Sequence, residues 1–216
     1  MIAPALGIDT SGPDCGAALA GPEGLIAQDY LDRSGRTGER IAGLVGSLLE
    51  QAGVKADDLC GLGVAMGPGS YTGLRVGLAL VRGLAVGSGL DAVGFGSLQL
   101  TALMATGPSD RVCATMDAGR DRLYAAGYQR DGENLSVIFE AEIIEAGDLD
   151  SRLASEGGHW QVCCQTKRAG VLALAASSAL ARGQGGPAAA ILPVYVGQVA
   201  ARPNQGRVAV RPPEAG

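Results

Sequence analysis

Gly67-Pro68-Gly69-Ser70-Tyr71-Thr72-Gly73-Leu74-Arg75 constrains this chain more than any other segment. It lies between an apolar run, Leu59 to Met66, and a long apolar stretch from Gly73 to about Gly89. The first reads as a buried strand and the second as a helix. A strand, a glycine-rich turn and a helix together present backbone N–H groups to an anion, or bring elements into close contact. The motif alone leaves both open.

The rest of the chain fixes the order of elements around this turn. Met1 to Ile8 reads as a strand ending in the turn Asp9-Thr10-Ser11-Gly12-Pro13, with further short strands at Cys15 to Ala20 and Leu25 to Leu31. Ile41, Leu44, Val45, Leu48, Leu49 and Ala52 then follow helical spacing, stopped by Gly53. Asp91 to Phe95 is a strand and Ser97 to Ala105 a helix, and Gly107-Pro108-Ser109-Asp110 is the expected boundary. After it come strands at Val112 to Met116, Leu123 to Gln129, Leu135 to Ile144 and Trp160 to Cys164. A helix at Val171 to Arg182 and a last strand near Ile191 to Val196 complete the order. Three strands, helix, strand, helix and strand, echoed after residue 110, predict an α/β chain of two related halves. The expected division is 1–107 and 108–216, the second half being smaller. That order is the signature of the actin, hexokinase and Hsp70 (ASKHA) superfold, in which each half carries a mixed sheet flanked by helices.

Composition narrows function. The 216 residues include 35 glycines, more than twice the usual share of about 7%. The net charge of −5 argues against a protein that grips nucleic acid alone, because phosphate neutralisation needs clustered cations. The local excess of Arg202, Arg207 and Arg211 reads as a solvated tail, with weak RNA or partner contact as the alternative. Five cysteines without a CxxC read as buried free thiols of a reducing compartment. No basic leader precedes the first strand, and Val171 to Ala181 is too short to span a bilayer, so a cytoplasmic protein is expected.

Four segments, in order, resemble the bacterial TsaB (YeaZ) family. Gly67 to Gly77 is similar to its GPGSFTGxRxG signature, and Leu6 to Ser11 to its first strand. Asp117 to Tyr124 is similar to its DARxxEVY stretch and Pro193-Val194-Tyr195-Val196 to its PxYLR element. The sequence departs from the family at Gly119 and Gly197, where Arg is usual, and at Gly38, near which many members carry His. The segment from Gly157 to Gln184 is abbreviated.

The resemblance implies a non-catalytic scaffold that forms a homodimer alone and pairs with TsaD in the cell. It would support threonylcarbamoyl transfer to the tRNA adenosine beside the anticodon, with TsaE and tRNA joining through the complex. TsaD binds its metal through an HxxxH pair, whereas this chain has a single histidine, His159. No metal, cofactor or catalytic residue is therefore expected. Ser70 lies in no GxSxG elbow, which weighs against a glycoprotease.

Pairing is expected through Ile41, Leu44, Val45 and Leu48 of the first helix and Leu74, Gly77, Leu78, Val81 and Leu84 of the second, the latter being apolar nearly all round. Gly67, Gly69, Thr72, Gly73 and Arg75 are expected to build the loop. Arg75, a cation in a first helical turn, needs a carboxylate, a carbonyl or a ligand to hold it. Asp9, Thr10 and Ser11 stand where the superfold places its first phosphate loop. They either cap the turn, which is favoured, or make this an ATP-dependent phosphotransferase with Asp9 on the metal or water.

Overall fold

The computed structural model describes residues 3–31, 37–132 and 134–197. Met1, Ile2 and the arginines at 202, 207 and 211 lie outside the described residues. The first sheet contains β1 (Ala5–Asp9), β2 (Gly16–Gly21), β3 (Gly24–Tyr30), β4 (Gly61–Gly67) and β5 (Ala92–Gly96), in the order β3-β2-β1-β4-β5. Strands β1, β2 and β3 pair antiparallel in succession, while β4 lies parallel to both β1 and β5.

The two faces of this sheet differ in side-chain size. On one, Leu6, Ile8, Leu19, Leu62 and Val64 meet α1 (Thr37–Ala52) and α2 (Tyr71–Ser88) in the largest apolar cluster. On the other, small residues let α5 (Ala169–Ala181) sit unusually close. Gly7 and Gly63 are register partners in β1 and β4. A Cβ at Gly7 would lie 2.7 Å from Ala173 N, and one at Gly63 would lie 2.7 Å from the Ala176 methyl. Much of the alanine and glycine in the chain is used in this close helix-on-sheet contact, where dispersion depends on approach distance.

The second sheet, in the order β8-β7-β6-β9, contains β6 (Arg111–Gly119), β7 (Arg122–Asp131), β8 (Asn134–Glu145) and β9 (Trp160–Cys163). Helix α3 (Ser97–Leu103) covers one face through Leu98 and Ala102 against Val112, Ala114 and Tyr128. Helix α4 (Leu149–Glu156) covers the other through Leu153 against Cys113, Ala125 and Phe139. The chain thus exchanges helices between its sheets: α3 leaves β5 to pack on the second sheet, and α5 leaves β9 to pack on the first. The proposed boundary at 107/108 falls between α3 and β6.

One expected strand is corrected. Ile191 to Val196 forms no strand; it is an extended strap in which the Val194 N–H donates to the Met66 carbonyl at 2.8 Å. Pro193 has no N–H to continue a ladder. Helix α4 carries little periodic signal in the sequence, because its apolar side is little more than Leu149 and Leu153 among charged neighbours.

The thiols divide by environment. Cys15, Cys113 and Cys163 are buried, and burial pushes the Cys113 thiol up to about 12. Cys60 and Cys164 are exposed. A disulfide reagent at mildly alkaline pH is expected to modify Cys60 and Cys164 in the native chain and the three buried thiols only after denaturation. Mass spectrometry of quenched samples reads the order.

Candidate functional site

Because β1 and β4 are parallel neighbours, their C-terminal ends, Asp9 and Gly67, lie side by side. Ligands bind at such strand ends in open α/β sheets. The glycine loop leaves β4 here and folds directly over the first turn. Ser70 caps α2, its hydroxyl accepting from Gly73 N at 3.1 Å. Its own N–H donates to the Ser11 carbonyl at 2.8 Å, and the Thr10 hydroxyl donates to the Gly73 carbonyl at 2.7 Å. A Cβ at Gly69 would lie 2.1 Å from Ser11 O, and one at Gly73 would lie 2.0 Å from Thr10 O. Gly77 is filled in the same way by the Thr10 hydroxyl, 2.3 Å away. The glycines give the loop a backbone-to-backbone fit against Thr10 and Ser11.

Asp9, Thr10 and Ser11 are all buried, and Arg168, at the start of α5, is 0% exposed beside them. The Arg168 Nε donates to Asp9 Oδ2 at 2.8 Å, and a terminal nitrogen of the guanidinium donates to the Ser11 hydroxyl at 2.9 Å. Asp9 Oδ1 accepts from both the N–H and the hydroxyl of Ser11, at 2.8 and 2.6 Å. Both carboxylate oxygens are therefore engaged within the chain. Asp9 does cap its turn, as favoured from sequence, but it also forms a buried ion pair that sequence did not show.

Among the described residues, neither a carboxylate nor a loop carbonyl holds Arg75. It is exposed, with its guanidinium carbon 4.1 Å from the centre of the Tyr71 ring. A hydrogen bond to the Tyr195 side chain pushes its pKa up. Tyr71 and Tyr195 lie 5.3 Å apart, so the strap closes over the start of α2. Val194 O also passes where a Gly67 Cβ would stand, 2.4 Å away. Thr72 is exposed.

The structure relocates the side chains expected to pair. Ile41, Leu44, Val45, Leu48, Leu78 and Val81 are buried in the chain's own core, against Leu6, Ile8 and Leu62. Leu74 and Gly77 are buried as well, and Leu84 is half-buried. Apolar spacing identified these faces, but the sheet beneath them consumes them. The exposed residues of α1 and α2 include instead the small Ala42, Gly43, Gly46, Ala79 and Gly83 together with Val86, with Glu50 and Arg75 also exposed. Among the described residues, nothing lies within 4 Å of a Cβ placed at Gly43, Gly46 or Gly83.

A chain that is 32% identical over 163 residues, covering 72% of this chain and 68% of its own length, is the tRNA threonylcarbamoyladenosine biosynthesis protein TsaB of Escherichia coli. This chain belongs to the TsaB (YeaZ) family. The TsaB of Bacillus subtilis is 32% identical over 148 residues, covering 67% of this chain and 64% of its own. The family model described as TsaD, tRNA N6-adenosine threonylcarbamoyltransferase, matches residues 34–183. YeaZ from Pseudomonas aeruginosa superposes with a TM-score of 0.74 at 24% identity, covering 90% of this chain and all of that one, which shows the same fold. Mixed sheets with flanking helices make it an ASKHA-like fold.

The TsaB signature is thus legible in physical terms: its glycines are the surface on which the first turn rests. The residue that sequence reasoning missed is Arg168. It stands 159 positions from Asp9, and the one signal for it was an arginine bordering an otherwise uncharged apolar helix. Among the described residues, no group of three or more His, Cys, Asp or Glu side chains could hold a metal ion, and no helix is long and apolar enough to cross a membrane.

Proposed function

We propose that this TsaB-family chain is a non-catalytic subunit in the formation of threonylcarbamoyladenosine in tRNA, and that it docks on TsaD through the outward face of α1 and α2. The same face forms a homodimer when the chain is alone, and TsaE and tRNA join through the TsaD complex. The observation that carries this reading is the set of helix glycines open to solvent. Gly43, Gly46 and Gly83 each cost a helix about 1 kcal/mol relative to Ala. With nothing among the described residues within 4 Å of a Cβ at these positions, no contact among them offsets that cost. Close approach of another pair of helices does, since it needs a surface without protruding side chains. The names of the relatives support the pathway, and the likeness to the TsaD family model supports a TsaD-type protein as the partner.

The reading predicts a division between two substitutions at one position. Gly83→Ala stabilises the isolated chain by about 0.5–1 kcal/mol, because it adds helix propensity without a clash. Gly83→Trp leaves the fold intact and abolishes co-elution with TsaD from the same organism in size-exclusion chromatography. A folded Gly83→Trp chain that still binds TsaD with unchanged affinity overturns the assignment of this face.

A further inference from the structure

The ASKHA fold places a phosphate-binding turn after its first strand, which here is Asp9 to Ser11. The residues around that turn do not fit a nucleotide or its metal ion. Both carboxylate oxygens of the buried Asp9 are already engaged, Oδ1 by the N–H and hydroxyl of Ser11 and Oδ2 by Arg168, which leaves at most one acceptor site, beside the guanidinium. A cation at Asp9 would face the guanidinium, and a phosphate would have to displace it from a carboxylate it touches at 2.8 Å. Space is closed on the same side. A Cβ at Gly12 would lie 2.7 Å from a terminal nitrogen of Arg168, and Gly69 and Gly73 bring the loop backbone onto Ser11 and Thr10.

We infer that Arg168 is a built-in ligand of this turn: a side chain that takes the place of a bound ion and holds the two loops and the connection between the sheets in one arrangement. Arg168 ends the connection that returns from β9 to the first sheet, and that connection is anchored along its length. The Thr166 hydroxyl donates to the Asp14 carboxylate. The Tyr30 hydroxyl donates to the Lys167 carbonyl at 3.0 Å, and the Thr101 hydroxyl reaches the Gln165 carbonyl at 3.4 Å. Asp9 and Ser11 pass the constraint on, because Ser11 O accepts from Ser70 N at the cap of α2. A ligand-binding relative would close over its nucleotide; this chain is closed by its own guanidinium. The inference does not depend on the TsaD-docking reading.

Isothermal titration of the wild-type chain with Mg-ATP is expected to give no saturable heat. Arg168→Ala is expected to lower the melting temperature by about 10 °C, as for loss of one partner of a buried ion pair in a chain of this size. Millimolar methylguanidinium, filling the vacated site, restores at least half of that loss in a saturable way. Sodium chloride at equal ionic strength does not, and Asp9→Asn in the same background removes the rescue. Arg168→Lys, which keeps the charge but not the planar fork, melts between the two and serves where the alanine variant does not fold. Saturable Mg-ATP binding that Asp9→Asn abolishes overturns the inference. So do a wild-type melting temperature for Arg168→Lys and equal rescue by the two salts.

Discussion

Leu78→Glu is expected to unfold the chain, with no folded monomer as product. Leu78 is 3% exposed and packs with Ile41, Leu44 and Val81 against Leu6 and Ile8 of the first strand. The substitution removes about 2–3 kcal/mol of apolar burial. It also asks the core to accept a carboxylate with no partner, which adds several kcal/mol even if the group takes up a proton. Together these terms approach the whole stability of a typical domain, about 5–15 kcal/mol. Leu48→Glu, at the same 3% exposure on α1, has the same expected outcome. Val86→Glu is the control: Val86 is 88% exposed on α2, so the variant keeps its cooperative melt. Far-UV circular dichroism during heating separates the three. A cooperatively melting, monomeric Leu78→Glu chain in light scattering would mean that this face of α2 points outward.

This outcome marks where the sequence was legible and where it was not. Periodicity located both helices, and the i, i+3, i+4 stripe of α1 is its buried face. But a stripe states only that a face is covered, and in α1 the cover is the chain's own sheet. In α2, apolar residues on both sides leave open which of them the sheet covers. Of the expected pairing residues, Leu74, Gly77, Leu78 and Val81 are buried in the chain and Leu84 is half-buried; Val76 and Leu80 are also half-buried, and Val86 is exposed. Glycine content hid the information that separates the faces. Gly7 and Gly63 are contact glycines, filled by α5, whereas Gly43, Gly46 and Gly83 are open. All look alike in a sequence, and only the distance to the nearest atom distinguishes them.

Long-range polar chemistry was equally invisible. Asp9 could be seen as a turn cap because Ser11 is two residues away, whereas its partner Arg168 comes from the far end of the fold. Ile191 to Val196 reads as a strand because it is apolar and rich in β-branched residues. Its backbone bonds are scattered, Val194 N–H to Met66 O and the Arg82 guanidinium to Ile191 O at 2.6 Å, and the Tyr195 ring lies beside Tyr71 and Arg75. Local pattern fixes an extended conformation but not whether a neighbouring strand edge is free to receive it.

Gly73→Ala tests the close fit that gives the glycine motif its form. One methyl group is added at a helical position, where propensity alone would favour the variant by about 1 kcal/mol. Its Cβ would stand 2.0 Å from the Thr10 carbonyl oxygen, a backbone atom with no rotamer to escape into. Relief requires α2 to move away from the first turn by more than an ångström. That movement breaks the bond from the Thr10 hydroxyl to Gly73 O and the bond from Ser70 N to Ser11 O. Each is partly or fully sequestered from water, so its loss costs about 1–3 kcal/mol. Overpacking adds roughly 1–3 kcal/mol more. The expected net loss is about 3 kcal/mol or greater in chemical denaturation, against a gain for Gly43→Ala, where the added methyl meets nothing within 4 Å. The opposite signs of one chemical change in two helices isolate contact from propensity. If Gly73→Ala were neutral, the loop would have room above the first turn, and an anion cradle would regain its place as the reading of this motif.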